Sequence, residues 1–325
     1  MSETKIKIGC ALKRDGRKRI GLSMLTANRY LKNQFGKKIY RISLDAGFTC
    51  PNRDGTLGTR GCVFCSGRGS GDYTFGSEKS IREQLVLAKA LVAGKHPEGY
   101  IAYFQAFTNT YGPVERLRAV FSEAIEDREV VALSIATRPD CLPQDVLELL
   151  SELNKIKPVM VELGLQTIHE ESALLIRRGY ALPVYDEAVK KLRKAGILHI
   201  VTHVIIGLPG ESREDILETV KYVAKTADGI KLQLLHILRG TDLADEYEKQ
   251  LLSEPTDFPK ISLPSRSEYA ELVAECLTLL PKDFVVHRFT GDGARDSLIA
   301  PLWSLEKKKT LNEIKKAAEA RGIVL

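Results

Sequence analysis

With 325 residues, 44% of them hydrophobic and 28% charged, the chain has the balance of an ordinary soluble globular protein long enough for a full core. Its net charge of +6 gathers partly in KRDGRKR (13–19) and EKKKT (306–310), which reads as solvated ends before it reads as a nucleic-acid contact. No apolar run approaches the roughly 20 residues of a membrane span, and no signal-type apolar core follows the basic start. A cytoplasmic, thiol-reducing setting with no membrane partner is therefore expected, which argues against disulfides.

In chain order, short β-branched or aromatic runs alternate with longer helical patterns. The strand candidates are KIYRISL (38–44), YIAYFQ (100–105), VVALSIA (130–136), PVMVELGL (158–165), ILHIVTHVIIG (197–207) and GIKLQLLHI (229–237). Between them lie SIREQLVLAKALVAG, PVERLRAVFSEAIED, LPQDVLELLSELNK, VYDEAVKKLRKAG and SREDILETVKYVAKTA, with apolar residues at the three-and-four spacing of one buried helix face. Pro143 and Pro183 lie near helix starts, and Gly196 and Gly229 near helix ends. Such βα units predict a parallel sheet, with a barrel favoured over a Rossmann sheet, although periodicity alone does not separate the two. The expected organisation is a basic arm over 1–37, a core over 38–240 and an extension over 241–325 that contributes helices and a candidate strand, FVVHRF (284–289).

Polar residues follow each of the six strands. Cys50 follows the first, FTNT (107–110) the second, TRPD (137–140) the third, and Gln166 with Thr167 the fourth. His203 and GLPGE (207–211) close the fifth, and His236 the sixth. In a parallel barrel these strand ends share one mouth, so a site is expected there.

The strongest chemical signal is CPNRDGTLGTRGCVFC, with spacing Cys50-x11-Cys62-x2-Cys65. A Cys-x2-Cys turn sets two sulfurs around one metal or on neighbouring corners of a cluster. The glycine-rich interval can wrap a bulky object. From the loop alone, zinc with a histidine as fourth ligand and an iron–sulfur cluster are equally compatible, but the nearest histidine, His96, lies thirty-one residues past Cys65. Placed at the mouth of a barrel, three thiolates on a four-iron cluster would leave one iron open.

Here the chain resembles the radical S-adenosylmethionine (SAM) superfamily, and more narrowly its YhcC-type members, which are related to the catalytic subunit of Elongator. The likeness runs from GFTCPNRDG and GCVFCS through YFQAFTNTY, TRPDC, ELGLQT, GLPGE and GIKLQLLHI to APLW. The x11 spacing departs from the commoner Cys-x3-Cys-x2-Cys and agrees with this subgroup. The resemblance implies a partial (β/α)6 TIM-type barrel with a C-terminal α/β extension. It also implies a [4Fe-4S] cluster on Cys50, Cys62 and Cys65, and SAM as the second cofactor. Reductive cleavage of SAM would give a 5′-deoxyadenosyl radical, with electrons from a donor such as flavodoxin or ferredoxin.

The resemblance assigns further positions. Phe64 matches an aromatic beside the adenine, and Gly207 and Glu211 match the strand-five element that contacts it, with Val204 where a glycine is common. Gln166 and Arg178 match residues that contact the ribose and carboxylate of SAM. His203 stands where that branch has an acidic ribose ligand. Thr108 or Asn109 would meet the SAM amine where many relatives carry Gly-Gly-Glu, and Arg138 with Asp140 would border the mouth or pair structurally. Cys141 and Cys276 read as buried inert thiols, Cys10 carries no further signal, and no second cluster is expected. RNA and small molecules both stand as substrate classes. The alternative is a non-catalytic zinc-binding barrel that serves as an interaction partner.

Overall fold

The computed structural model describes residues 22–72 and 74–325, so Cys10 and the basic run at 13–19 lie outside the described residues. All six expected strands form: β1 (Ile39–Leu44), β2 (Gly99–Phe104), β3 (Val130–Thr137), β4 (Val159–Gln166), β5 (His199–Ile206) and β6 (Gly229–Leu234). Each pairs in parallel with its sequence neighbour, so the strands lie in chain order, as successive right-handed βα crossovers produce.

Helices α1 (Ile81–Val92), α2 (Val114–Glu126), α3 (Gln144–Ile156), α4 (Leu182–Lys194) and α5 (Arg213–Thr226) return the chain between strands. Their starts are built into the sequence. Ser80 with Glu83, and Ser212 with Asp215, form capping boxes that satisfy the free first-turn amides of α1 and α5. Pro143 precedes α3, Pro183 occupies the first turn of α4, and Gly196 ends that unit at φ +84°. The outward side chains of the strands, Leu44, Phe104, Leu133, Val161 and Ile200 among them, form the main core with the helices.

The sheet is wider than the six expected strands. β7 (Val285–Arg288) adds beside β6, and the short strand Leu25–Thr26 adds beside β7, giving eight strands in one parallel sheet. Its two edges, β1 and Leu25–Thr26, are not hydrogen-bonded to each other. The sheet nevertheless curls, because Arg41 Nη2 of β1 lies 3.1 Å from His287 Nδ1 of β7, 246 residues away. The architecture is therefore a partial TIM-type barrel, open along one seam.

Two expected boundaries, at 37 and 240, cut through this sheet. Residues 25–35 belong to the barrel: Thr26 caps the N-terminal helix Ala27–Phe35, whose Leu31 packs on Ile39, Ile101, Ala132 and Met160 and seals the barrel floor. β7, expected in the extension, is likewise part of the sheet. Strand six also ends earlier than expected, at Leu234, and the next segment, Ile237–Leu238, pairs antiparallel with Leu298–Ala300. The remaining extension includes α6 (Asp242–Leu251), α7 (Arg266–Thr278) and α8 (Lys307–Ala320). No described helix is long and apolar enough to cross a membrane.

Candidate active site

The cysteine loop is held by its own backbone and by the extension. Cys65 N donates to Cys62 O at 3.0 Å, which closes the Cys-x2-Cys turn. Val63 N bonds Ile176 O at 3.3 Å, and Leu243 N bonds Val63 O at 2.9 Å. Asp242, the first residue of α6, accepts from Arg60 at 2.5 Å and pairs with Arg177. Within the loop, Arg53 donates to the carbonyls of Cys65 (2.8 Å) and Ser66 (2.6 Å). Gly61 makes room for that guanidinium: at φ +75°, a Cβ there would lie 3.0 Å from Arg53 Nε.

Cys50, Cys62 and Cys65 are free thiols that face one cavity of about 450 Å³. Asn52 Nδ2 donates to Cys62 Sγ at 3.4 Å and to Arg177 O at 2.7 Å. Burial, with Cys65 adding like charge, pushes the Cys62 thiol up to about 11 despite the Arg138 guanidinium nearby. Burial also raises Cys65, against the pull of Arg53. Raised in this way, the bare Cys62 and Cys65 thiols keep their protons near neutral pH, and a metal would have to displace them. The three sulfurs are not all within 4.8 Å of one another. Around a single tetrahedral zinc, sulfurs at about 2.3 Å from the metal would sit roughly 3.8 Å apart.

The positions expected to meet SAM divide by where their side chains go. Phe64, Thr108, Arg138, Gln166, Arg178 and His203 line the cavity. Gln166 stands out, because it is a non-glycine residue at φ +70° and its Oε1 is buried without a partner. Phe107 and Arg177 also have positive φ, 56° each, so three strained residues surround the cysteines. Thr108 is buried at the cavity wall. Arg138 forks onto Asp140 at 2.9 and 2.7 Å and lies over the Tyr180 ring. The structural pairing weighed for these two residues is thus present.

Arg178 is committed elsewhere. It donates to the carbonyls of Thr167 (2.6 Å), Leu165 (3.3 Å) and Tyr180 (2.9 Å), and to Glu170 at 3.3 Å. Its fork holds the strand-four turn together and presents no free donor to the cavity. Asn109 does not line the cavity, since its amide nitrogen bonds Phe104 O at 3.1 Å and Ala136 O at 3.0 Å. Gly207 and Glu211 also lie off the cavity lining. Gly207, at φ +97°, packs towards Pro264 and Leu235, while Glu211 is half-buried beside Thr167 and Ser172 and raised by that burial. Cys141 and Cys276 are buried off the cavity, and Cys276 is pushed up to about 12 by burial.

Sequence reasoning missed an ionic tier just below the mouth. Glu162 of β4, fully buried, accepts from Ser134 Oγ (2.7 Å), His203 Nε2 (2.7 Å), Arg41 (3.1 Å) and Lys231. Burial alone would raise Glu162, but the Lys231 and Arg41 cations hold it well below the carboxylate range. Burial pushes His203 down to about 4, so the neutral ring donates through Nε2. Lys231 Nζ also donates to Tyr103 OH at 2.9 Å. The signal was legible at period two, since Arg41 and Ser43, Tyr103 and Gln105, and Lys231 and Gln233 each alternate with apolar residues on their strands.

The chain is similar to known proteins over most of its length. The model of the radical SAM superfamily matches residues 55–223, and that of the radical SAM C-terminal domain matches residues 227–320. The protein YtqA of Bacillus subtilis strain 168 is 46% identical over 299 residues, covering 91% of this chain and 90% of YtqA. Protein YhcC of Escherichia coli K12 is 35% identical over 295 residues, covering 90% and 91%. Among solved structures, Elp3 of Methanocaldococcus infernus aligns with a TM-score of 0.53 at 19% identity, over 79% of this chain and 57% of that one. That likeness is one of fold.

Proposed function

The chain belongs to the radical SAM superfamily, in the group of YhcC and YtqA, and on that premise we propose that it is a SAM-cleaving [4Fe-4S] enzyme. Cys50, Cys62 and Cys65 would hold the cluster, and Gln166, Thr108 and Phe64 would contact SAM. When bound, the pair supplies a 5′-deoxyadenosyl radical on reduction by an external one-electron donor, a flavodoxin or ferredoxin by class. The chain's own residues shape and insulate the site. Arg53 and Asn52 fix the loop, Arg138 and Arg178 lock the turns after β3 and β4, and the apolar floor under Glu162 excludes water.

The observation that carries this reading is the thiol set: three free cysteines on one cavity, spread wider than one zinc needs, beside the strained and unpartnered Gln166. Anaerobically purified protein should contain about four iron atoms per chain and form 5′-deoxyadenosine with SAM and dithionite. Cys62→Ala should lose the iron and the product. Colourless protein with about one zinc and no product overturns the proposal.

A further inference from the structure

We infer that the wall of the cavity formed by β6, β7 and the turn after β7 is a substrate subsite for an oxyanion, a carboxylate or phosphate gripped by Arg288. As a substrate site it rests on the proposed SAM chemistry, but the anion binding itself does not.

Four arginines line the cavity, and three are spent. Arg53 serves the loop carbonyls, Arg138 serves Asp140, and Arg178 serves backbone carbonyls and Glu170. The side chain of Arg288, the last residue of β7, makes no hydrogen bond or ion pair with another described residue. Its charge acts on Tyr103, His203, Lys231 and His236, which places it among the polar groups of the barrel interior. An unpaired guanidinium lining such a cleft presents a fork that matches a carboxylate or phosphate.

The surrounding charges favour an anion. By strand register Arg288 is level with Lys231 of the ionic tier, where Glu162 is the one carboxylate and Arg41 and Lys231 already pair with it. Even with Lys231 neutral, Arg41 and Arg288 together outweigh Glu162. Asp292 lines the same wall but bonds Lys307 at 2.6 Å, and Asp72 lines the cavity from the segment after the cysteine loop.

Two further groups line the cavity with Arg288. His236 lines the cavity with Nε2 buried and unpartnered, and burial keeps it neutral by pushing it down to about 4. The turn after β7 grips its ring: a Cβ on Gly291 would lie 3.0 Å from His236 Cε1, and one on Gly293 would lie 3.1 Å from Cδ2. The imidazole is thereby held in one orientation. Gln233 of β6 lines the same wall and has no side-chain hydrogen bond to a described residue. A fixed cation flanked by an amide and an oriented imidazole makes an oxyanion pocket. The cysteines follow β1 and Gln166 ends β4, so β6 and β7 stand elsewhere in the sheet order and meet the proposed SAM contacts through Phe64, which packs on the Leu235 and Ile237 cluster.

The test titrates inorganic phosphate, uridine 5′-monophosphate, uridine and glutarate into the full chain at low salt, by calorimetry, for wild type, Arg288→Gln and Arg288→Lys. At least one anion should bind wild type, weaken tenfold or more in Arg288→Gln and recover in part in Arg288→Lys, while uridine does not bind. Arg288→Lys carries the comparison if Arg288→Gln misfolds by thermal melting, with a threefold or greater loss expected from the missing fork. Tighter uridine 5′-monophosphate assigns a phosphate, and tighter glutarate a carboxylate. SAM affinity should stay within twofold across the variants. Equal anion affinity in wild type and variants, no anion binding to wild type, or a tenfold loss of SAM affinity in Arg288→Gln overturns the inference. Arg288-dependent anion binding in a protein that makes no 5′-deoxyadenosine would sink the proposed function and leave the anion site standing.

Discussion

The ionic tier and the mouth above it are built from similar residues and differ in what those residues lack. In the tier, Glu162, Arg41, Lys231, Ser134, His203 and Tyr103 partner one another. At the mouth, Gln166 Oε1 and His236 Nε2 are buried without partners, and Arg288 faces the cavity unpaired. A buried polar group left unmet costs about 1–3 kcal/mol, so the mouth carries a cost that the tier does not and that a bound polar ligand would offset.

Breaking the tier should cost most. Glu162→Gln removes the one carboxylate that Arg41 and Lys231 face, and denaturant unfolding should show a loss of about 3–5 kcal/mol. Gln233→Ala at the mouth should cost below about 0.5 kcal/mol in the same experiment. Equal losses would erase the distinction between the two layers.

Acid should probe the comparison next. Burial holds His199, His203 and His236 at about 4, below the unfolded value of about 6.5. Above pH 6.5 both states are neutral and stability is fully present. As pH falls from 6.5 towards 4 the unfolded chain takes up protons that the folded chain refuses, so stability drops. Each histidine contributes a slope of up to about 1.4 kcal/mol per pH unit. His203→Gln, which keeps a donor to Glu162, should flatten the pH dependence of unfolding by one histidine's share. An unchanged slope would mean that His203 is not held neutral.

The smallest effect should come from Gln166. Replacing this left-handed residue by glycine relieves about 1 kcal/mol of backbone strain, so Gln166→Gly should be slightly more stable to denaturant. SAM affinity should fall about tenfold at the same time. A variant that gains stability and loses no affinity would make Gln166 a piece of scaffold.

Much of the fold was legible because its signals are local. Helix periodicity, the caps at Ser80 and Ser212, and the prolines before α3 and within α4 fixed the βα units, and chain order then fixed their neighbours. The Leu25–Thr26 strand was not legible, because two residues carry no periodicity. β7 was visible as a strand, but its place beside β6 depends on an edge left open by the first six. At the site, spacing and strand ends pointed to the cysteine triplet and Gln166, which the fold sets on one cavity. Arg178 resembled a ligand in sequence, yet its donors go to backbone carbonyls, which only the folded turn after β4 brings within reach.

By itself the sequence determined the alternation of strands and helices, the thiol triplet and the end of the barrel where chemistry gathers. These follow from side-chain period and chain direction, which act over a few residues. Tertiary structure decided which polar groups meet. Arg41 reaches Glu162 and His287 across the barrel interior, while Arg288 reaches no described partner. Whether a charge is paired depends on distances between residues far apart in the chain, and those distances exist only once the sheet has curled.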